Sequence, residues 1–481
     1  MNRRMVVHIL GHIITLEAIL LTLPLTVSFI YGEKCAGSFM ITVAVALAVG
    51  ILLSRAFKPS SRVIFAKEGF FIVSLAWVAM SAIGALPFVI SGEIPSYVDA
   101  FFEVVSGFTT TGASILTDVE AMSHGLLFWR SFTHWIGGMG VLVFIMAIIP
   151  SISDRSIHIM RAEMPGPIIG KLVPRAKQTA KILYLIYIGL TLVEVILLMC
   201  GGMNWFESLV HTFGTAGTGG FGIRADSIYS YNSYIQWVIT VFMLLFGINF
   251  NLYYLILVRK FKSVFKSTEL WVYIGLFAAS TAIIAANVRG MFTSTGDTVR
   301  TAAFQVSSIM TTTGYSTADF NLWPSLSKSI LLLLMFGGAC AGSTAGGLKI
   351  SRVVIMFKIV RKELKKLLHP RSVNSVSFEG KRLDDATVLS VSTYFIIYMI
   401  VFAVIALIIS IDGFDFETNF TAAISCLNNI GPGLGKVGPM GSFAVYSDFS
   451  TVVLSIAMLL GRLEIYPLLL VLIPATWTNK S

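Results

Sequence analysis

Between two long apolar segments the chain carries Ser106-Gly107-Phe108-Thr109-Thr110-Thr111-Gly112-Ala113-Ser114, a stretch without charge. Small and hydroxylated residues of this kind make a poor helix and a poor strand. At membrane depth such backbone survives only where protein or a water-filled cavity satisfies its N–H and C=O groups. A ring of carbonyl oxygens around a permeating cation provides that setting. One loop cannot make a ring, so recurrence decides between a ring and a local irregularity.

Three further stretches match: Thr215-Ala216-Gly217-Thr218-Gly219-Gly220-Phe221, Thr311-Thr312-Thr313-Gly314-Tyr315 and Asn428-Asn429-Ile430-Gly431-Pro432-Gly433. Aligning Gly112, Gly220, Gly314 and Gly431 spaces the loops roughly 95–120 residues apart, a period suited to a large repeated membrane unit. The sixth residue before each glycine is small: Ser106, Gly214, Ser308 and Ser425. A short half-apolar segment precedes each loop: Val98 to Val105, Trp205 to Phe213, Val299 to Met310 and Glu417 to Leu427. None is long enough to span a bilayer, so each reads as a re-entrant helix.

With 56% hydrophobic and 12% charged residues in 481 positions, the chain has about half the charge of an ordinary soluble domain. It reads as an all-α polytopic membrane protein. A net charge of +10 invites a nucleic-acid partner, but position argues against it. All but eight of the 35 Lys and Arg fall in segments assigned to the cytoplasmic side; the eight are Lys34, Arg130, Arg224, Arg289, Arg300, Lys328, Lys436 and Arg462. This is the positive-inside bias. The four cysteines (Cys35, Cys200, Cys340, Cys426) have no paired spacing, and of the seven histidines only His8 and His12 lie one helical turn apart. Neither a disulfide framework nor a metal site is expected. Gly433-Leu434-Gly435-Lys436-Val437-Gly438 fits a dinucleotide fingerprint but follows no strand, so no nucleotide site is expected here.

Ten spans are expected. Two form an N-terminal pair, about Met5–Ile30 and Ser38–Phe57. The others flank the four loops: Gly69–Ile90 and Gly125–Ile149, Thr179–Cys200 and Tyr234–Val258, Leu270–Val288 and Ser329–Val360, Ala386–Ile411 and Asp448–Leu472. Both termini then lie inside. The resulting units are an N-terminal helix pair over 1–66 and pore repeats over 67–160, 161–262, 263–381 and 382–481. Prolines in the polar segment Ser151 to Lys181 exclude a continuous long helix there.

Two features stand out within the spans. Gly337-Gly338-Ala339-Cys340-Ala341-Gly342-Ser343-Thr344-Ala345-Gly346-Gly347 places five glycines in one helix, at about 1 kcal/mol each relative to alanine. The helix is expected to break there and leave a movable loop beneath the four glycines; a small-residue packing face is the alternative. Arg462 reads as the only deep charge in an apolar helix, either facing the pore or forming a structural ion pair with a residue from another repeat. Glu464, two residues on, points elsewhere and is not its partner by spacing. Arg130 reads as structural, bonding carbonyls behind a loop. Glu103, His211 and Gln305 share the ninth position before the aligned glycines and are expected to orient the loops.

Four helix–loop–helix repeats, each built on one glycine, resemble the Trk/Ktr/HKT superfamily of potassium transporters, closest to its bacterial TrkH/TrkG-type subunits. The resemblance rests on Ser106 to Ala113, on Phe128-Trp129-Arg130-Ser131-Phe132-Thr133-His134-Trp135-Ile136-Gly137-Gly138-Met139-Gly140, on Ala341 to Lys349, and on Gly461-Arg462-Leu463-Glu464. It implies potassium uptake across the bacterial inner membrane and no enzymatic activity. It also implies potassium-binding positions at Thr110, Thr111, Gly112, Thr218, Gly219, Gly220, Thr312, Thr313, Gly314, Asn429, Ile430 and Gly431. The gate would comprise Gly337, Gly338, Gly342, Ser343, Thr344, Gly346, Gly347 and Arg462. Implied partners are a second copy of the chain and a cytosolic TrkA-type nucleotide-binding ring, with potassium as the transported ion and no cofactor in this chain. The extra N-terminal helix pair favours the TrkH type over the shorter Ktr-type subunit, with a sodium-dependent Ktr-type transporter as the alternative. An organic-solute transporter, expected to have inverted repeats and a paired ionisable site, is the rival class. Ile430 interrupts the expected ring of threonines, and Gly222 stands where Ser or Asn usually follows the aromatic, so the ring is fourfold in its backbone alone.

Overall fold

Apolar segments that must satisfy every backbone group within themselves become helices. The computed structural model, which describes residues 2–59, 66–140, 176–371 and 374–473, is built almost wholly of them. The N-terminal unit comprises α1 (Arg3–Leu20), α2 (Thr22–Ile30) and α3 (Ala36–Ala56). Four times thereafter the chain runs through an apolar helix, a short helix, a loop and a second helix, which is broken in the second, third and fourth repeats.

The first repeat contains α4 (Ala66–Gly84), α5 (Leu86–Ser91), the short α6 (Tyr97–Phe108) and α7 (His124–Gly138). The second contains α8 (Ala176–Cys200), the short α9 (Trp205–Gly217), α10 (Ser233–Phe246) and α11 (Phe250–Leu257), followed by the single turn α12 (Phe261–Phe265). The third contains α13 (Thr268–Val288), the short α14 (Thr295–Met310), α15 (Ser325–Gly337) and α16 (Ile350–Leu368), then a two-stranded hairpin, β1 (Ser377–Phe378) with β2 (Lys381–Arg382). The fourth contains α17 (Asp385–Ile409), the short α18 (Phe416–Asn428), α19 (Asp448–Arg462) and α20 (Tyr466–Leu472).

Each short helix starts on a side-chain cap, which relieves otherwise unpaired N–H groups. Ser96, Asn204, Ser294 and Asp415 accept from the amides of Asp99, Glu207, Gly296 and Thr418 at 3.3, 2.8, 3.1 and 3.0 Å. At 12, 13, 16 and 13 residues these helices are too short to span, as expected of re-entrant segments.

The second helices differ from expectation. Six helices among the described residues are long and apolar enough to cross a membrane, and a seventh span forms if α10 and α11 count as one. That pair bends by 89° across Gly247 to Asn249, where one continuous helix was expected. The fourth repeat breaks at Leu463–Ile465, with Glu464 and Ile465 at φ 55° and 65°, again where continuity was expected. In the third, the expected break appears between Gly337 and Ile350. In the first, α7 ends at Gly138; the expected continuation to Ile149 and the proline-bearing polar segment lie largely outside the described residues. Residues beside these helix ends, Gly138 to Gly140, Phe250, Gly342, Ser343, Ala345 to Gly347 and Gly461 to Glu464, line one common cavity.

Candidate ion pathway

The four loops share one backbone. Two residues before each aligned glycine the chain turns left-handed: Thr110, Thr218, Thr312 and Asn429 have φ of 56°, 57°, 56° and 56°. The glycines are left-handed too, at 78°, 74°, 88° and 103° for Gly112, Gly220, Gly314 and Gly431. Four non-glycine residues in this costly region recur at one register, so the geometry is imposed by the surroundings. The residue between the two left-handed positions is tied back in each loop. The amides of Thr111, Gly219, Thr313 and Ile430 donate to the carbonyls of Ser106, Gly214, Ser308 and Ser425 at 2.8, 2.8, 2.8 and 3.0 Å. These acceptors are the four small residues at position six.

The loops close on one another in sequence order. A Cβ on Gly112 would overlap the carbonyl of Gly219; on Gly220, that of Thr313; on Gly314, that of Ile430; and on Gly431, that of Thr111. Loops one to four therefore form a closed circuit, with each glycine beside the carbonyl of the next loop. A side chain at any of these positions would push into that carbonyl. Each short helix also ends at its loop, so four helix C-termini, with their partial negative charge, lead into one place.

One face of the circuit opens into a cavity of about 390 Å³, lined by Gly112, Gly220, Gly314 and Gly431. Below it lies a cavity of about 40 Å³, lined by Gly346, Lys349 and Arg462. The segment between α15 and α16 fills the lower side. Its neck closes where the Ile350 amide donates to the Ala339 carbonyl at 3.0 Å, and its tip reaches Gly346, whose amide donates to Thr312 Oγ1 at 2.7 Å. A Cβ on Gly346 would overlap the carbonyl of Asn428. The segment is a compact loop held by backbone bonds on both sides, Cys340 to Gly247 at 3.1 Å and Phe250 to Gly342 at 3.0 Å. It packs into the bend between α10 and α11.

Arg462 reaches across this lower side. Its guanidinium donates to the carbonyl of Thr344 in the loop at 2.9 Å and to those of Gly137 and Gly138 at 2.5 and 2.8 Å. The last two are the end of α7, where a cation is favoured. Arg462 lines the lower cavity, and these three bonds go to backbone carbonyls of two other repeats rather than to a carboxylate. Its planar fork makes both possible.

A sequence profile of the TrkH family, described as cation transport proteins, matches residues 36–277 and 272–478. The chain belongs to the TrkH family. Over 99% of its length it is 36% identical to the whole of the Trk system potassium uptake protein TrkH of Escherichia coli K12. It is 34% identical to TrkG of that organism, each chain covered to 99%. The crystal structure of the potassium transporter TrkH from Vibrio parahaemolyticus superposes with a TM-score of 0.90 at 32% identity, covering 99% of this chain and 100% of that one. TrkH-family membership and the apolar helices make this a multi-pass membrane transport protein rather than an enzyme.

Within this TrkH-family chain, Arg462 is not the only deep charge, and that expectation is corrected. Arg130 and Glu103 are both buried and paired at 2.5 Å. Glu103 also accepts from Ser114 Oγ at 2.9 Å and from the Ile115 amide at 3.0 Å. Arg130 donates to the Gly222 carbonyl at 3.0 Å and lies 3.5 Å over the Phe221 ring. The pair clamps the outgoing arm of the first loop to that of the second. Glu103 thus orients its loop as expected, and Arg130 bonds a carbonyl behind a loop. Gln305 does likewise, donating to the Ala318 carbonyl at 3.2 Å. His211 meets Tyr231 at 3.0 Å, and its carbonyl accepts from the Tyr315 hydroxyl at 3.0 Å.

Two further contacts had no counterpart in the sequence reading. His134 Nδ1 meets the Gly107 carbonyl at 2.7 Å while its Nε2 accepts from the Phe221 amide at 3.3 Å, so the Nδ1–H tautomer bridges the first two loops. Glu464, correctly separated from Arg462, pairs instead with Arg352 on α16, which also lies 4.1 Å over the Tyr394 ring. A rule that looks for the partner of every intramembrane charge would have asked for both ion pairs.

Proposed function

We propose that the chain conducts potassium inward across the bacterial cytoplasmic membrane through the circuit of four loops, with 67–160, 161–262, 263–381 and 382–481 as four pore repeats. The observation that carries this reading is the matched left-handed geometry at Thr110, Thr218, Thr312 and Asn429, which sets four equivalent carbonyls beside four glycines. Carbonyl oxygens replace the water of a dehydrated cation without trapping it. The ion-contacting positions are Thr110, Thr111 and Gly112, then Thr218, Gly219 and Gly220, then Thr312, Thr313 and Gly314, then Asn429, Ile430 and Gly431. Potassium as the cargo is supported by the names of the relatives.

Residues 337–347 and Arg462 act as the gate in this reading. The loop tip bonded to Thr312 and the small cavity beneath it support that role. The Lys- and Arg-rich face is cytoplasmic, and a TrkA-type nucleotide-binding ring docks there on a homodimer of this chain. Rubidium uptake into liposomes, with potassium, sodium and proton gradients varied separately, tests the proposal. Absence of uptake both with and without the cytosolic partner would sink it.

A further inference from the structure

The neck of the intramembrane loop is held by one carboxyl group. Glu269 stands in the first turn of α13, buried, and its Oε1 accepts from the Ala341 amide at 2.8 Å and the Ser351 amide at 3.0 Å. These two amides flank the point where Ile350 bonds to Ala339. Neither amide has a helical partner: Ala341 precedes the loop tip, and Ser351 lies in the first turn of α16, where amides lack one. A single oxygen therefore joins the incoming and outgoing arms.

Glu269 is itself held from outside. Glu379, at the turn between β1 and β2, accepts through Oε1 from Ser267 Oγ at 3.1 Å and from the Glu269 amide at 3.1 Å. Ser267 is the N-cap of α13. The hairpin around Glu379 exposes Ser377, Gly380, Lys381 and Arg382 and anchors to α16 through Lys358, whose Nζ donates to the Ser377 carbonyl at 2.8 Å. Beneath it Val376, Phe378 and Leu383 pack on Ile355 and Val391. A continuous set of bonds runs from an exposed hairpin, through the cap of α13, to both arms of the loop.

We propose that Glu269 is a positioning residue that clasps the intramembrane loop closed, and that Glu379 couples this clasp to the surface hairpin. The inference rests on reading residues 337–347 as a gate. Movement of the hairpin withdraws Glu379 from Ser267 and the Glu269 amide, tilts the first turn of α13, and releases Ala341 and Ser351. No covalent step is involved.

Cys340 lies buried within the clasped segment and reports on its opening. In the full chain with Cys35, Cys200 and Cys426 replaced by alanine, alkylation of Cys340 by a membrane-permeant maleimide is followed in liposomes, alongside rubidium flux. Glu269→Ala raises the alkylation rate about tenfold or more, the scale expected for losing two hydrogen bonds across one neck. Glu269→Gln, whose amide oxygen still accepts, stays near the parent rate. Glu379→Ala, an exposed-hairpin variant that keeps Glu269, also raises the rate. Parent-rate alkylation in Glu269→Ala, or equal rises in the Ala and Gln variants, overturns the clasp. Parent-rate alkylation in Glu379→Ala overturns the coupling, and that variant decides the matter should Glu269→Ala fail to fold. Faster alkylation without any change in flux leaves the clasp standing and defeats the gate reading on which its function depends.

Discussion

The amide of Gly346 donates to the side-chain hydroxyl of Thr312 at 2.7 Å, so the tip of the intramembrane loop is bonded to a left-handed residue of the third re-entrant loop. That contact joins the two unusual parts of the molecule. Motion of the loop cannot leave the ring unaffected while the bond holds. It also places the glycine-rich segment where its lack of side chains matters, because the Asn428 carbonyl occupies the position a Cβ of residue 346 would take.

Gly346→Ala should therefore force the loop away from the ring. Overpacking of this kind costs about 1–3 kcal/mol, enough to shift a two-state loop roughly tenfold or more toward its displaced form. Basal rubidium flux in liposomes, without any cytosolic partner, is expected to rise accordingly. Parent-level flux from folded Gly346→Ala protein would show that the loop does not obstruct the path.

Gly314→Ser should impair selectivity. Residue 314 has φ 88°, a conformation that costs an ordinary side chain about 1–2 kcal/mol, and the new Cβ would displace the Ile430 carbonyl. The potassium-to-sodium permeability ratio is expected to fall about tenfold, the change that roughly 1.4 kcal/mol brings. Gly222→Ala is the control, because its φ is not positive and its Cβ meets nothing closer than 3.5 Å. Equal ratios in the two variants would remove Gly314 from the ion path.

Replacing Arg462 separates charge from geometry. Arg462→Gln removes both, whereas Arg462→Lys keeps the charge on a side chain that lacks the fork needed to reach Thr344 and the end of α7 together. Both variants are expected to raise basal flux, by about tenfold if each lost charged bond is worth 1.5 kcal/mol or more. A lysine variant indistinguishable from the parent would assign Arg462 a purely electrostatic role.

The loops were legible because glycine and its small partner six residues earlier are demanded by local backbone geometry, and local demands leave local marks. The Gly337–Gly347 break was legible for the same reason. The other breaks were not. Leu244 to Phe250 is apolar apart from Gly247 and Asn249, and Leu463-Glu464-Ile465 has no glycine; that turn is held by Arg352 across 112 positions. Glu103 and Arg130 were each visible, but their pairing across 27 positions was not. Spacing along one helix finds partners on that helix, while these partners lie on different elements brought together by the repeat.

The Glu103–Arg130 pair gives the last prediction, because its cost depends on which partner remains. Arg130→Gln leaves a buried carboxylate with only the Ser114 hydroxyl and the Ile115 amide. Glu103→Gln leaves the guanidinium with the Gly222 carbonyl and the Phe221 ring, while the new amide oxygen still accepts from Ile115. Breaking a buried pair by removing one member costs about 3–5 kcal/mol, since the other charge stays buried. Arg130→Gln is thus expected to lower the thermal unfolding midpoint in detergent more than Glu103→Gln. The double variant, with no charge stranded, should be less destabilised than the two single losses added together. Additive losses would mean that the groups act independently and do not hold the first two loops together as a pair. Because the pair touches the outgoing arms of both loops, the single variants should also lose selectivity, whereas a charge acting only on overall stability would leave the permeability ratio of the surviving folded protein unchanged.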